Sequence, residues 1–150
     1  REGPAESEPA QRFRQVVNGI ADTGFLVAFA NRGDAHHKWA VAVAEKLSEP
    51  LLTCEAVLAE TAFHLEDTVL VLRMIREGLI RLAFAAEDHL PHLQDLAKRY
   101  ADHAPDFADL CLVRMSEMFP KHPVLTVDGD FRVYRRNKRE VIPLICPRGV

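Results

Sequence analysis

Apolar positions along the chain follow two rhythms that alternate. Short apolar runs bounded by turn residues fall at 16–22 (VVNGIAD), 51–53 (LLT), 79–84 (LIRLAF), 124–127 (VLTV) and 140–146 (EVIPLIC). Such runs read as buried strands. Between them the spacing changes to that of helices. The stretch TGFLVAFANRG predicts a short helix closed by Gly33. After Asp34, Trp39, Val43 and Leu47 stand four apart, which predicts an amphipathic helix capped by Asp34 and stopped by Pro50. CEAVLAETAFHLED and TVLVLRMIREG predict two more helices, the second ended by Gly78. Leu90, Leu93, Ala97 and Tyr100 mark a helix that starts near residues 88–90, beside Pro91. Pro105-Asp106 opens another, with Phe107, Leu110, Cys111, Met115 and Met118 on one face. Pro143 places the last strand at a sheet edge.

Strands alternating with helices predict a three-layer α/β/α sandwich around a central, mainly parallel sheet of four or five strands. Residues 1–17, rich in Glu, Pro and Ala, read as a flexible N-terminal tail, and 18–150 as a single domain. Composition changes this picture little: 48% hydrophobic and 27% charged residues suit a soluble globular chain. The net charge of −3 gives no global attraction for nucleic acid, so an anionic ligand needs a local basic patch or a bound cation. No apolar run reaches the roughly 20 residues of a membrane span, and the first fifteen residues lack the apolar centre of a signal peptide. Cys54, Cys111 and Cys146 form no CxxC pair and read as small hydrophobes, which fits a reducing cytoplasm.

The chemistry concentrates in carboxylates. Asp22 and Asp128 each stand at the end of an apolar strand, and in open α/β sheets ligands gather outside the carboxyl ends of strands. Singly, each also suits a turn or a helix cap. Glu60 interrupts AVLAETAFHL, where an ionised side chain beside a packing face needs a cation or several donors. Asp106 and Asp109, three apart at a helix start, share a face; Asp106 is in addition a good N-cap. With Asp130, these acids all flank one predicted sheet edge. Clustered carboxylates repel and cannot all ionise unaided. A hard divalent cation resolves that conflict, and Mg²⁺ or Mn²⁺ suits oxygen donors better than Zn²⁺.

In order, ADTGFLVAFANRGDAHHKWA, LTCEAVLAETAFHL, DFADLCLVRM and LTVDGDFRVY resemble the PIN-domain family, especially the VapC-type toxins of toxin–antitoxin pairs. The likeness spans about residues 18–146. It implies metal-binding and catalytic roles for Asp22, Glu60 and Asp109, with Asp128 or Asp130 as the last position, since only Gly129 separates those two. Thr23 and Thr126 would support the carboxylates, and Asp106 is an acid beyond the usual four. The resemblance further implies a Mg²⁺- or Mn²⁺-dependent endoribonuclease, an RNA substrate, a cognate antitoxin that covers the acids, and a homodimer.

Other readings are weaker. The Asp-x-Asp of VLTVDGDF also resembles the nucleophile motif of phosphatases, but only about 20 residues follow it, too few for the rest of such a fold. A catalytically inactive PIN-like module that binds protein or RNA would have been free to lose Glu60 or Asp22. The basic run FRVYRRNKRE, with Arg132, Arg135 and Arg136, reads equally as a solvated loop and as an arm holding RNA phosphates, with Tyr134 stacked on a base. His36 and His37 point about 100° apart on a helix and make a poor chelating pair.

Overall fold

The computed structural model describes residues 17–150. Of the tail predicted over 1–17, all but Val17 lies outside the described residues. Val17 itself forms an isolated parallel bridge with Leu47.

Chain order runs β1 (Ile20–Ala21), α1 (Thr23–Ala30), α2 (His37–Ala44), β2 (Leu51–Thr53), α3 (Glu55–Leu65), α4 (Thr68–Arg76) and β3 (Ile80–Leu82). Then follow α5 (Leu90–Arg99), α6 (Phe107–Met118), β4 (Val124–Leu125), a 3₁₀ turn (Gly129–Arg132), β5 (Arg135–Arg136), β6 (Glu140–Val141) and β7 (Leu144–Ile145). Five strands form one parallel sheet in the order β3-β2-β1-β4-β7, within the α/β/α arrangement that the alternating pattern predicts. β1 lies at its centre, with Ile20 beside Leu52 on one side and Val124 on the other. Ile20, Leu51, Val124 and Leu125 are wholly buried, as strands covered on both faces must be.

Local chemistry sets the helix ends. Asp67 caps α4 by accepting the Leu70 N–H at 2.9 Å, and Asp106 caps α6 by accepting that of Asp109 at 2.8 Å. Gly78 ends α4 at φ +85°, a conformation that other residues adopt only with strain. Asp34 does not cap α2 directly. It accepts the His36 N–H at 2.8 Å in a turn that precedes the helix.

The strand predicted over 140–146 is divided. Glu140–Val141 pairs antiparallel with β5, and only Leu144–Ile145 joins the main sheet, at its edge beside β4. Pro143 has no N–H to continue a ladder, although its carbonyl accepts the Val124 N–H at 2.9 Å.

The strand order carries a functional consequence. From β1 the chain moves outward through β2 to β3, then returns to the far side of β1 with β4. The carboxyl ends of β1 and β4 therefore form a topological switch point, where neighbouring connections diverge and leave a crevice.

Candidate active site

Asp22 follows β1 directly and becomes the N-cap of α1, accepting the Thr23 N–H at 2.6 Å through Oδ1. Its Oδ2 accepts from the Thr126 hydroxyl at 2.6 Å, just past β4. The Thr126 hydroxyl in turn accepts the Asp128 N–H at 2.9 Å, so one side chain braces acids from both central strands. Glu60, on the second turn of α3, accepts from the Thr23 hydroxyl at 2.8 Å. Asp109, on the first turn of α6, accepts from the Tyr134 hydroxyl at 3.0 Å through Oδ2. Asp128 accepts the Asp130 N–H at 2.9 Å, which fixes the turn after β4.

Asp22, Thr23, Glu60, Asp106, Asp109 and Asp128 all line one open cavity of about 370 Å³. One carboxylate oxygen from each of Asp109, Asp128 and Asp130 lies within 4.8 Å of the others. Asp130 is the most exposed of that trio and borders the cavity rather than lining it. A roomier cavity of about 720 Å³, walled mainly by Phe29, Leu47, Leu70 and Met74, brings no such cluster together. Chemistry, and not size, marks the acid cavity as the candidate cleft.

The electrostatics are unbalanced. None of the six acids has an ion-pair partner among the described residues. Burial holds the Asp22 carboxyl at about 6, with the charges of Asp128 and Glu60 adding to the rise and the bonds from Thr126 and Thr23 opposing it. Burial, then the adjacent Asp106 charge, pushes Asp109 up to about 7 against the bond from Tyr134. Burial and the Asp109 charge push the Tyr134 phenol upward, so it remains the donor of its pair.

The sequence matches the family model of the PIN domain over residues 20–137. The chain belongs to the PIN-domain family. The crystal structure of Mycobacterium tuberculosis VapC20, described as a sarcin-ricin loop cleaving toxin, is similar in fold. Its TM-score is 0.67 at 22% identity, covering 83% of this chain and 98% of that one. Comparison with curated proteins gives no match.

In this PIN domain the basic run does not form an arm over the acids. Arg136 is buried, 4% exposed, and its guanidinium donates to the Ser116 and Pro120 carbonyls at 2.8 and 3.2 Å and to Glu140 at 2.7 Å. Arg135 donates to the carbonyls of Arg132, Val133 and Tyr134. Arg132 folds back onto the Val150 carbonyl and the Cys146 sulfur. None of the three lines the acid cavity. Tyr134, 2% exposed, has no free face for a base. Its inward turn follows from the 3₁₀ segment at 129–132, for which the sequence gives little warning.

Two histidines border the PIN cavity instead. His36 lies in the turn before α2, and His64 stands one helical turn beyond Glu60 on α3. The i, i+4 relation of Glu60 and His64 is the signal in the sequence that points to the second.

Proposed function

We propose that this PIN-domain protein is a divalent-metal-dependent endoribonuclease, the toxin of a toxin–antitoxin pair acting in the cytoplasm. The observation that carries the reading is the uncompensated carboxylate cluster at the switch point of the sheet. Crowding several acids together, Asp22 buried and Asp109 half-buried, without a basic partner is unfavourable unless a cation belongs there. Asp22 and Asp109 hold protons unusually tightly for the same reason.

The donor set fits a hard ion. Every oxygen in the cluster is a carboxylate or hydroxyl oxygen, and no cysteine lines the cavity. Asp22 and Glu60 would hold Mg²⁺ or Mn²⁺ directly, and Asp109 with Asp128 or Asp130 would hold it directly or through water. When bound, the ion would supply positive charge to a phosphodiester and acidify a nearby water. Thr126 and Thr23 fix the rotation of the Asp22 and Glu60 carboxylates, so that the ligand oxygens are set before substrate arrives. His36 and His64 line the same cavity, where they would be within reach of an RNA phosphate. No serine or cysteine lines the cavity, and the Thr23 hydroxyl is committed to Glu60, so a water activated by the ion is the nucleophile of this reading.

The likeness to a toxin described as cleaving the sarcin-ricin loop supports a structured RNA as substrate. The family resemblance supports a cognate antitoxin and a homodimer. No helix among the described residues is long and apolar enough to cross a membrane. Cleavage of structured RNA in Mn²⁺, compared between the wild type and Asp22→Ala, tests the function. The proposal predicts cutting by the first and none by the second. Equal rates, or no cutting by either, would overturn it.

A further inference from the structure

Asp109 is held from outside the set of acids and threonines assigned above. The Tyr134 hydroxyl reaches Asp109 Oδ2 at 3.0 Å from the far side of the turn after β4. Its ring is clamped on two sides. Tyr100 meets it edge-on at 5.2 Å between centroids and Phe131 at 5.4 Å, with interplanar angles of 72° and 84°. Both clamps are themselves fixed: Phe131 is wholly buried, and the Tyr100 hydroxyl accepts the Arg135 N–H at 2.8 Å.

A core position that needed only packing would be served as well by phenylalanine, whereas a buried hydroxyl must find a partner. Here the partner is a carboxylate of the candidate metal site, and the bond is charge-assisted. A carboxylate otherwise turns freely about its last torsion, whose wells are broad. Engaging Oδ2 fixes the rotation of the carboxylate, and one of its two oxygens lies within 4.8 Å of an oxygen of Asp128 and of Asp130.

We propose that Tyr134 is a positioning residue, whose hydroxyl sets the rotation of the Asp109 carboxylate and thereby aims one oxygen at a divalent cation. The inference rests on reading the carboxylates as a metal site. Losing such an outer partner lowers metal affinity by about 10- to 100-fold.

The test is Tyr134→Phe in the full chain, which removes one oxygen and keeps both aromatic contacts. Mn²⁺ binding is measured by calorimetric titration, and folding by thermal melting in EDTA. Tyr134→Phe is expected to bind Mn²⁺ at least about 10-fold more weakly, with the cooperative fold kept in EDTA. Adding Tyr134→Phe to Asp109→Asn should weaken binding no further, because the two residues act as one unit. RNA cleavage by Tyr134→Phe should recover as Mn²⁺ is raised. Unchanged Mn²⁺ affinity, a loss confined to melting temperature, or an equal loss in the Asp109→Asn background would each overturn the role. If Asp22→Asn and Asp109→Asn also bind Mn²⁺ like the wild type, the metal-site reading fails and this inference with it. If those two bind weakly while Tyr134→Phe is normal, only the inference falls.

Discussion

Asp22 is only 7% exposed at the end of the central strand. Its carboxyl titrates at about 6 in the folded chain against 3.8 as the ordinary value. Below the lower value both folded and unfolded chains hold the proton, and stability is full. As pH rises, the unfolded chain releases its proton first, so metal-free stability falls until the folded carboxyl has also ionised. The loss approaches about 3 kcal/mol above pH 7, from roughly 1.4 kcal/mol per pH unit of separation. Melting in EDTA should therefore show Asp22→Asn gaining on the wild type from pH 4 to 7. A constant gap across that range would mean that Asp22 ionises without penalty. A different expectation holds for Arg136. Arg136→Ala strips a charged donor from the Ser116 and Pro120 carbonyls and should cost about 2–3 kcal/mol in denaturant unfolding. Arg132→Ala, at an exposed position, should cost under about 1 kcal/mol. The sequence does not separate these two arginines. Both sit in one basic run, and which of them turns inward depends on a hairpin whose loop holds Asn137 and Lys138 at positive φ. The acids were more legible, because the ends of apolar runs are visible without knowing how the chain turns.

Among the elements, α1 and the segment after β4 approach each other closely. A methyl group built on Gly24 would lie 2.4 Å from Val127 Cγ2. Gly24 is in the first turn of α1, next to Thr23, so displacing that turn moves the hydroxyl that holds Glu60. Gly24→Ala gains roughly 1 kcal/mol of helix propensity, but overpacking against a stiff branched side chain costs about 1–3 kcal/mol. The variant should melt lower and bind Mn²⁺ more weakly, and Val127→Ala should restore both in the double variant. If Gly24→Ala melts higher, the propensity gain outweighs the clash. Legibility at this scale followed the strength of the local signal. α4 was readable from its sequence and its closing Gly78, while the Asp67 cap that starts it was seen only in the structure. The run 140–146 was not readable, because its apolar content is continuous and only tertiary pairing shows that Glu140–Val141 belongs to another ribbon.

For the molecule as a whole, cation binding and folding are linked. A ligand that binds only the folded chain stabilises it by about 2.7 kcal/mol at a hundred times its dissociation constant. Millimolar Mn²⁺ should thus raise the melting temperature at pH 7.5, EDTA should reverse the rise, and Asp22→Asn should shrink it. No shift in the wild type would argue against a preformed site.

The strand order also has a consequence in time. Thr126 and Asp22, whose side chains meet at 2.6 Å, are 104 positions apart. Pairing across such a distance forms late, since the intervening loop must first close. During synthesis, Asp22 and Glu60 leave the ribosome well before the strand that completes their cavity. A nascent chain that has reached only α6 holds half a cleft, with the centre of its sheet open on one side. The cavity is therefore incomplete while the chain is being made, and it closes only once synthesis has passed β4.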